Sequence, residues 1–555
     1  MGDNKDGINH ICVLKQTIKV SLFLIIGVLI FFVFQSIFVP KRFAYVKSYD
    51  AGKLAGYYTE EPNSIDVLIC GTSHVSKGIL PMELYEKFGI RAYNLGMSKQ
   101  PIEATYYVIS EALKTQKPKV IVYDVSKLYG DDYEYALFAV DEMKIGKNKV
   151  ALSQKYLDKT QSDTSMVNLL FPFFQYHSRW NELSDEDFTY ALRDRPYYGK
   201  GGQIVSNVLG SYVSLEQMNL KAAELMQSTE KTSYIYDAGV YSEEREEQVL
   251  YSAEVPNKNL EWFLKIKELC ETNNIQLLAV KVPSIYMPQI YSSAWTEEKY
   301  HAVRTLCEEY DISYYDLQYD ADVNIDWNYD SSDGGQHLNI NGAQKVSLNL
   351  GEYLKDYYEL SDKRSEQWDK DLQSYQKTRK IAKLESQQDF ISYINLLANE
   401  YQDKVIFISV AEDMAAGLTE ADIVALRTLG LQTDFSNAYQ YSYVAVIEYG
   451  EVKYEELSNR DLEYSGYIDK SGKNYTIYSS GYNTRSSANI KLEGEQIAVD
   501  HVGMNIVVYD AERDLVMDSV CFDMALEEHT VIRNGSKTTK FLEAFEKYSV
   551  EEADE

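Results

Sequence analysis

The longest uncharged run comes first. From Val20 to Val39 there are twenty residues without a charge, and only Ser21, Gln35 and Ser36 interrupt them with polar side chains. That is the length a helix needs to cross a bilayer. A cleaved signal peptide has a shorter apolar region and a small-residue cleavage site, and neither is evident before Pro40. The run therefore reads as one uncleaved anchor at 20–39, with residues 1–19 as its cytoplasmic segment.

After a linker to about Asn63 the pattern changes to short apolar runs bounded by turn residues, the signature of buried parallel strands. Ile65–Cys70, Arg91–Leu95 and Lys119–Val125 read as strands, separated by helical segments at Pro81–Phe88 and Pro101–Thr115. From about Leu128 to Val255 the chain is rich in Tyr, Phe, Trp and charge without strand–helix alternation, and it reads as an insertion. Alternation resumes with a helix at Asn257–Thr272, a strand at Ile275–Val282, a helix at Thr296–Tyr310, a strand at Ile312–Leu317 and a closing helix at Asn341–Lys355. Strands alternating with helices imply parallel pairing with right-handed crossovers. The expected fold class is thus α/β: a three-layer αβα sandwich with about five parallel strands over 63–356, carrying the insertion 128–255.

Residues 357–388 are strongly charged and helix-prone with little apolar periodicity, and predict a solvated connector. Beyond it, a helix, a strand and a helix (Asp389–Glu400, Lys404–Val410, Glu420–Leu429) precede five strand-like runs between Tyr441 and Cys521. This predicts a second α+β domain over 389–545, followed by a frayed acidic tail at Ser549–Glu555.

Composition narrows the function. The 555 residues include 85 acidic and 55 basic side chains, a formal charge of −30, which disfavours binding to a polyanion such as nucleic acid. Five scattered cysteines without CxxC spacing suggest neither a zinc site nor a disulfide framework. Seven scattered histidines give no coherent metal-ligand spacing, so neither metal nor cofactor is expected.

The candidate chemistry lies at the ends of the alternating domain. Gly71-Thr72-Ser73-His74 follows the first strand, so a tight turn would deliver Ser73 to the carboxyl edge of the sheet, where ligands bind in open α/β folds. Far downstream, Asp333-Gly334-Gly335-Gln336-His337-Leu338-Asn339 followed by Asn341-Gly342-Ala343 offers an acid and an imidazole on one short loop. Serine becomes a useful nucleophile once an oriented imidazole takes its proton. His74 could shape the pocket, and His177, in the aromatic insertion, could line a substrate cleft. Gly199-Lys200-Gly201-Gly202 lacks the context of a phosphate loop and reads as a flexible turn.

Gly71-Thr72-Ser73-His74 with the late Asp…His-Leu-Asn…Gly-Ala resembles the SGNH/GDSL hydrolase superfamily. The likeness is to its membrane-anchored branch, which includes the teichoic-acid D-alanylation protein of the DltD type and polysaccharide O-acetylation proteins. The resemblance implies Ser73 as nucleophile, His337 as base, Asp333 as orienting acid, and an oxyanion hole at Gly96 and Asn94 in Tyr93-Asn94-Leu95-Gly96. It also implies an extracytoplasmic catalytic domain at the plasma membrane, although Lys41, Arg42, Lys47 and Lys53 outnumber Lys5, Lys15 and Lys19 across the span. The partners implied are a cell-envelope glycan and a membrane-bound O-acyltransferase. Two departures stand out. The family's acid lies three residues before the histidine, whereas Asp333 lies four before, which leaves Asp330 in reserve. Where the family's third block has asparagine, this chain has Asp124, which as a carboxylate cannot donate to an oxyanion. The C-terminal strands around Gly503–Asp510 and Asp518–Asp523 are similar to the interleukin-like EMT inducer domain of PANDER-like fold, which implies a carbohydrate-binding module.

Overall fold

The computed structural model describes residues 3–38, 52–130, 132–160, 162–183, 187–188, 199–210, 216–217, 254–285, 297–413, 415–436, 438–482, 486–524 and 529–533. The acidic tail at Ser549–Glu555 and most of 211–253 lie outside them. The chain divides into two units. The first comprises Met1–Gln203, Tyr212–Ile325 and Ala343–Asp369, and the second Ile204–Ser211, Asp326–Gly342 and Lys370–Glu555.

Helix α1 (Asp3–Phe38) opens the first unit, and its stretch Leu14–Phe38, with mean hydropathy 2.6, is long and apolar enough to cross a membrane. The unit's core is a sheet of β1 (Val67–Cys70), β2 (Ala92–Asn94), β3 (Val120–Asp124), β4 (Gln276–Lys281) and β5 (Ser313–Asp316) in the order β2-β1-β3-β4-β5. Every pairing is parallel. Residues of β1 and β3 are buried on both faces, which is why these strands read as unbroken apolar runs rather than alternating ones. The order reverses between β1 and β3, the switch point that opens a crevice at the carboxyl edge. The α/β architecture therefore matches the sequence reading.

Around the sheet, α2 (Lys53–Tyr57), α3 (Ser73–Gly78), α4 (Pro81–Phe88) and α5 (Ile102–Ala112) come before the insertion. Pro81 at the first position starts α4, and Gly89 in the left-handed conformation ends it. The described part of the insertion before residue 184 is largely helical, with α6 (Ala136–Glu142), α7 (Lys147–Lys159), α8 (Met166–Leu170), α9 (Phe173–Tyr176) and a 3₁₀ turn at His177–Asn181, whereas 199–210 are turn and irregular structure. Helices α10 (Asn257–Thr272), α11 (Glu297–Glu309) and α12 (Ile340–Tyr357) complete the alternation.

The expected linker before Asn63 is instead structural: Leu54 and Tyr57 are buried in α2, and Tyr57 Oη donates to Ala112 O at 2.7 Å. The charged connector is likewise revised. Helix α13 (Glu366–Ser386) fills most of it, with Trp368, Tyr375, Ile381 and Leu384 buried. Trp368 lies 5.1 Å from Tyr85, and Ile381 and Leu384 join the core of the second unit. Its buried face mixes these apolar residues with Asp371, Ser374, Thr378 and Glu385, which are buried too, so hydrophobic periodicity alone missed a packed helix.

In the second unit, α14 (Phe390–Glu400) and α15 (Glu420–Thr428) pack on a ten-stranded sheet centred on β6 (Val405–Glu412). Alternating β6 side chains serve two cores: Ile406, Ile408 and Val410 face Phe390, Ile394 and Leu426, while Val405 and Phe407 join Val444, Tyr475 and Ile477. On one side β6 pairs antiparallel with β13 (Gly503–Asp510), which continues to β14 (Leu515–Asp523) and β15 (Thr530–Arg533). On the other it pairs with β7 (Ser442–Glu448) and β10 (Lys473–Gly481).

Candidate active site

The turn that ends β1 is built around a close approach. Gly71 has φ +141°, and a Cβ there would meet Asp124 Cβ at 2.6 Å, so the residue after β1 must lack a side chain to pass the end of β3. Thr72 then caps α3, its hydroxyl accepting from His74 N at 3.2 Å, and Ser73 is the first residue of that helix. Asp124, fully buried, holds the turn from the neighbouring strand. It accepts from Thr72 Oγ1 at 2.7 Å, Ser126 Oγ at 2.6 Å and Ser126 N at 3.1 Å. The acid that stands where the resemblance leads one to expect asparagine thus braces the serine's turn.

The expected oxyanion donors are already engaged. Asn94 Nδ2 donates to Val75 O at 2.7 Å and Ile79 O at 2.9 Å, and Gly96 N donates to Asn94 Oδ1 at 3.0 Å. Asn94 therefore ties the second strand's loop to α3 and Gly96 is held in turn by Asn94, so the N–H groups expected at the oxyanion have partners within the protein. Lys53, which the sequence offered only as one of the charges following the apolar span, is completely buried here and donates to Ser76 Oγ and Gly96 O. Nothing in its surroundings in the sequence marked it, because a lysine in a polar stretch reads as solvated.

The Gly199–Gly202 stretch is a turn, as expected, closed by Gly202 N donating to Gly199 O at 3.0 Å, but it is buried and lies against β2. Asn94 N donates to Lys200 O at 2.8 Å, and a Cβ on Gly201 would fall 1.8 Å from Asn94 O. Lys200 itself is buried, paired with Glu60 at 2.7 Å and lying over the Trp368 ring.

At the same carboxyl edge Lys281, the last residue of β4, is buried opposite Asp316 in register. Burial pushes its ammonium down to about 8, against the upward pull of the Asp124 and Asp316 carboxylates. Burial raises Asp316, partly offset by Lys281.

In the second unit, the loop between Asp326 and Ile340 is closed by a bridge between Ser331 and Leu338 and by Ser332 N donating to His337 O at 2.9 Å. One carboxylate fixes the histidine twice: Asp333 Oδ1 accepts from His337 N at 2.7 Å and Oδ2 from His337 Nδ1 at 2.6 Å. The four-residue spacing that departs from the family pattern is what lets one side chain take both. Asp330, the reserve acid, turns its carboxylate to Asp326 N at 2.7 Å instead. The loop is braced from outside as well. Leu209 N donates to Ser331 O at 3.0 Å, Gly334 N to Leu209 O at 3.0 Å, and Ile340 N to Val205 O at 2.7 Å. Asn341 Nδ2 donates to Ser386 Oγ at 3.1 Å and Ser206 Oγ to Glu385 Oε2 at 2.7 Å, which ties the loop and its brace to the end of α13.

The structure therefore brings His337 and Asp333 together, and it sets Ser73, His74, Asn94 and Gly96 around one turn. Ser73 belongs to the first unit and the acid–base pair to the second. His177 is exposed in the 3₁₀ turn after α9, its Nδ1 2.8 Å from Phe174 O, on the segment that packs along α1. Among the described residues no group of three or more His, Cys, Asp or Glu side chains is placed to hold a metal. Cys70, Cys270, Cys307 and Cys521 are buried free thiols.

Comparison with protein-family models finds no match, and comparison with curated proteins finds none either. Among solved structures the chain is similar to the crystal structure of a "putative acylhydrolase" from Bacteroides fragilis, at 9% identity over 54% of this chain and 92% of that one, with a TM-score of 0.25. At that score the likeness carries no argument about the activity.

Proposed function

We propose that the chain is a membrane-anchored, extracytoplasmic serine esterase or O-acyltransferase of SGNH type, acting on acyl esters, most simply acetyl, of a cell-envelope polysaccharide or teichoic-acid-like polymer. The observation that carries the reading is the imidazole of His337 held at Nδ1 by Asp333, in a chain whose first strand delivers a serine to a switch-point crevice. Ser73 Oγ attacks the ester carbonyl carbon while His337 Nε2 takes its proton. Asp333 keeps Nδ1 protonated and stabilises the imidazolium. The leaving alkoxide collects that proton, and water or a sugar hydroxyl then cleaves the acyl-enzyme, giving hydrolysis or transfer. A membrane-bound O-acyltransferase would supply the acyl group for transfer, and the C-terminal domain, by its resemblance to the interleukin-like EMT inducer family, would hold the glycan.

A second reading has its own support. Because the amides of Asn94 and Gly96 are paired within the protein, a non-catalytic anchored glycan-binding or assembly scaffold accounts for the same turn. Full-length protein offered a chromogenic acetyl ester and a serine-directed phosphonate separates the two. The enzyme reading expects turnover and labelling that Ser73→Ala abolishes; equal inertness of both proteins refutes it.

A further inference from the structure

The insertion contains an apolar stretch that the proposed chemistry does not use. Residues 166–177 carry no Asp, Glu, Lys or Arg, yet of their apolar side chains only Leu169 and Pro172 are buried. Val167 is 52% exposed, Phe174 42% and, just beyond, Trp180 72%. Large apolar side chains left in a row on a surface mark an interaction site.

The contacts of this stretch identify the partner. Phe31 of α1 meets Phe171, Phe173 and Phe174 with ring centroids 5.6–5.8 Å apart, and Phe38 meets Phe173 at 5.4 Å. Arg179 Nη1 donates to Phe38 O at 2.6 Å, satisfying a carbonyl at the end of α1. Phe31 lies seven residues before Phe38, about 10 Å along the helix at about 1.5 Å per residue. Helices α8 and α9 therefore lie beside the last turns of the apolar span, at a depth within the outer third of a hydrocarbon layer about 30 Å thick.

The backbone there suits such a place. Leu169 N, Phe171 N, Phe174 N, Gln175 N and Tyr176 N all donate to carbonyls three or four residues back, and Pro172 has no N–H to satisfy. Lipid cannot pair backbone groups, so only a self-satisfied backbone is tolerated at that level. Tyr176 Oη donates to Asp141 Oδ2 at 2.9 Å and Arg179 pairs with Asp187, which fixes the stretch to the folded unit. Trp180 follows beside the buried Arg179, and indoles favour the headgroup boundary.

We propose that residues 166–180 form a second, monotopic membrane contact: a short aromatic wedge seated beside the carboxyl end of α1, in the leaflet where that helix ends, which holds the first unit against the bilayer. The proposal rests on reading α1 as an anchor and is independent of the esterase reading.

The test uses full-length protein in phosphatidylcholine bilayers made with and without lipids brominated on the acyl chains. Subtracting the emission of Trp180→Phe, a conservative change at an exposed site, isolates Trp180 from the other four tryptophans. The expected result is a blue-shifted Trp180 component that brominated lipid quenches, more strongly with bromines near the headgroup than near the chain end. A component that is unquenched and emits like indole in water overturns the proposal. If protein resistant to carbonate extraction shows no quenching, the wedge alone fails. Extraction by carbonate refutes the anchor, and the wedge with it. Neither result touches the ester assay.

Discussion

Asp124→Asn is the most informative single change in the first unit. The substitution keeps shape and volume, so no cavity confuses the result. It removes the charge from a buried group that accepts from Thr72 Oγ1, Ser126 Oγ and Ser126 N. With its oxygen turned to Ser126 N the amide keeps that acceptor and offers its NH2 to the two hydroxyls, so three charge-assisted contacts become neutral ones. Hydrogen bonds to a charged group contribute about 1.5–3 kcal/mol and neutral ones about 0.5–1.5, so the loss is about 1 kcal/mol each and about 3 kcal/mol together. Lys281 also loses one of the two carboxylates that sustain its charge. The expected outcome is an unfolding transition of the first unit displaced by about 3 kcal/mol in urea, read in mild detergent. Ester turnover should fall with it, because Thr72 caps the helix that begins at Ser73. A variant within about 1 kcal/mol of wild type, with full turnover, would show that Asp124 does not hold the turn.

On the acid–base pair, His337→Ala and Ser73→Ala should abolish turnover, and Asp333→Asn should lower kcat by about 10⁴ by analogy with the serine-protease orienting acid; a larger loss in Asp330→Asn would overturn the assignment. Lys281 has a folded-state value of about 8 against about 10.4 unfolded. Between these pH values the unfolded chain binds the extra proton, so this group makes stability rise with pH by up to about 3 kcal/mol. Lys281→Met should flatten that slope in paired urea titrations at pH 8 and pH 10, and an unchanged slope would refute the burial argument. Deleting 389–555 should abolish small-ester turnover, because Arg533 Nη2 donates to Leu384 O and Gln387 O at the helix end that braces the His337 loop; a truncated chain with full activity would refute this. Ser549→Cys should react with an impermeant maleimide on intact cells if the chain after Pro40 is outside, with the buried thiols of Cys70, Cys270, Cys307 and Cys521 silent; labelling only after lysis reverses the orientation.

What was legible in the sequence followed from burial on both faces. Four of the five parallel strands stood out as buried apolar runs and the helix Pro81–Phe88 through its bounding Pro and Gly, while the half-buried β5 followed from the strand–helix alternation. The strands Glu451–Ser458 and Leu462–Ile468 were missed because their residues alternate half-exposed with exposed, and charged or tyrosine side chains fill them. Around the candidate site, Gly-x-Ser and Asp…His were visible as motifs, whereas the bracing by Asp124, Lys53 and Glu385 was not. Each is a charged residue buried by distant partners, and such partners leave no local trace in a sequence. The assignment of donors to Asn94 and Gly96 came from resemblance and could not anticipate that the Asn94 amide would be spent on Val75 O and Ile79 O and the Gly96 amide on Asn94 Oδ1.

The stretch 199–210 within the insertion has a consequence for how related chains should vary. Within twelve residues, Gly201 passes over the backbone of Asn94, and Val205, Ser206 and Leu209 hold the loop of the acid–base pair. An alignment would show this stretch as an interior part of a long, variable segment between the third and fourth strands. Its substitution rate should nonetheless be as slow as that of the serine motif, with glycine kept at 201 and the spacing from 201 to 209 free of insertions and deletions. Length variation among relatives should fall before Gly199 or after Gly210, giving a boundary that could be used to find distant members whose motifs alone are too short to identify them.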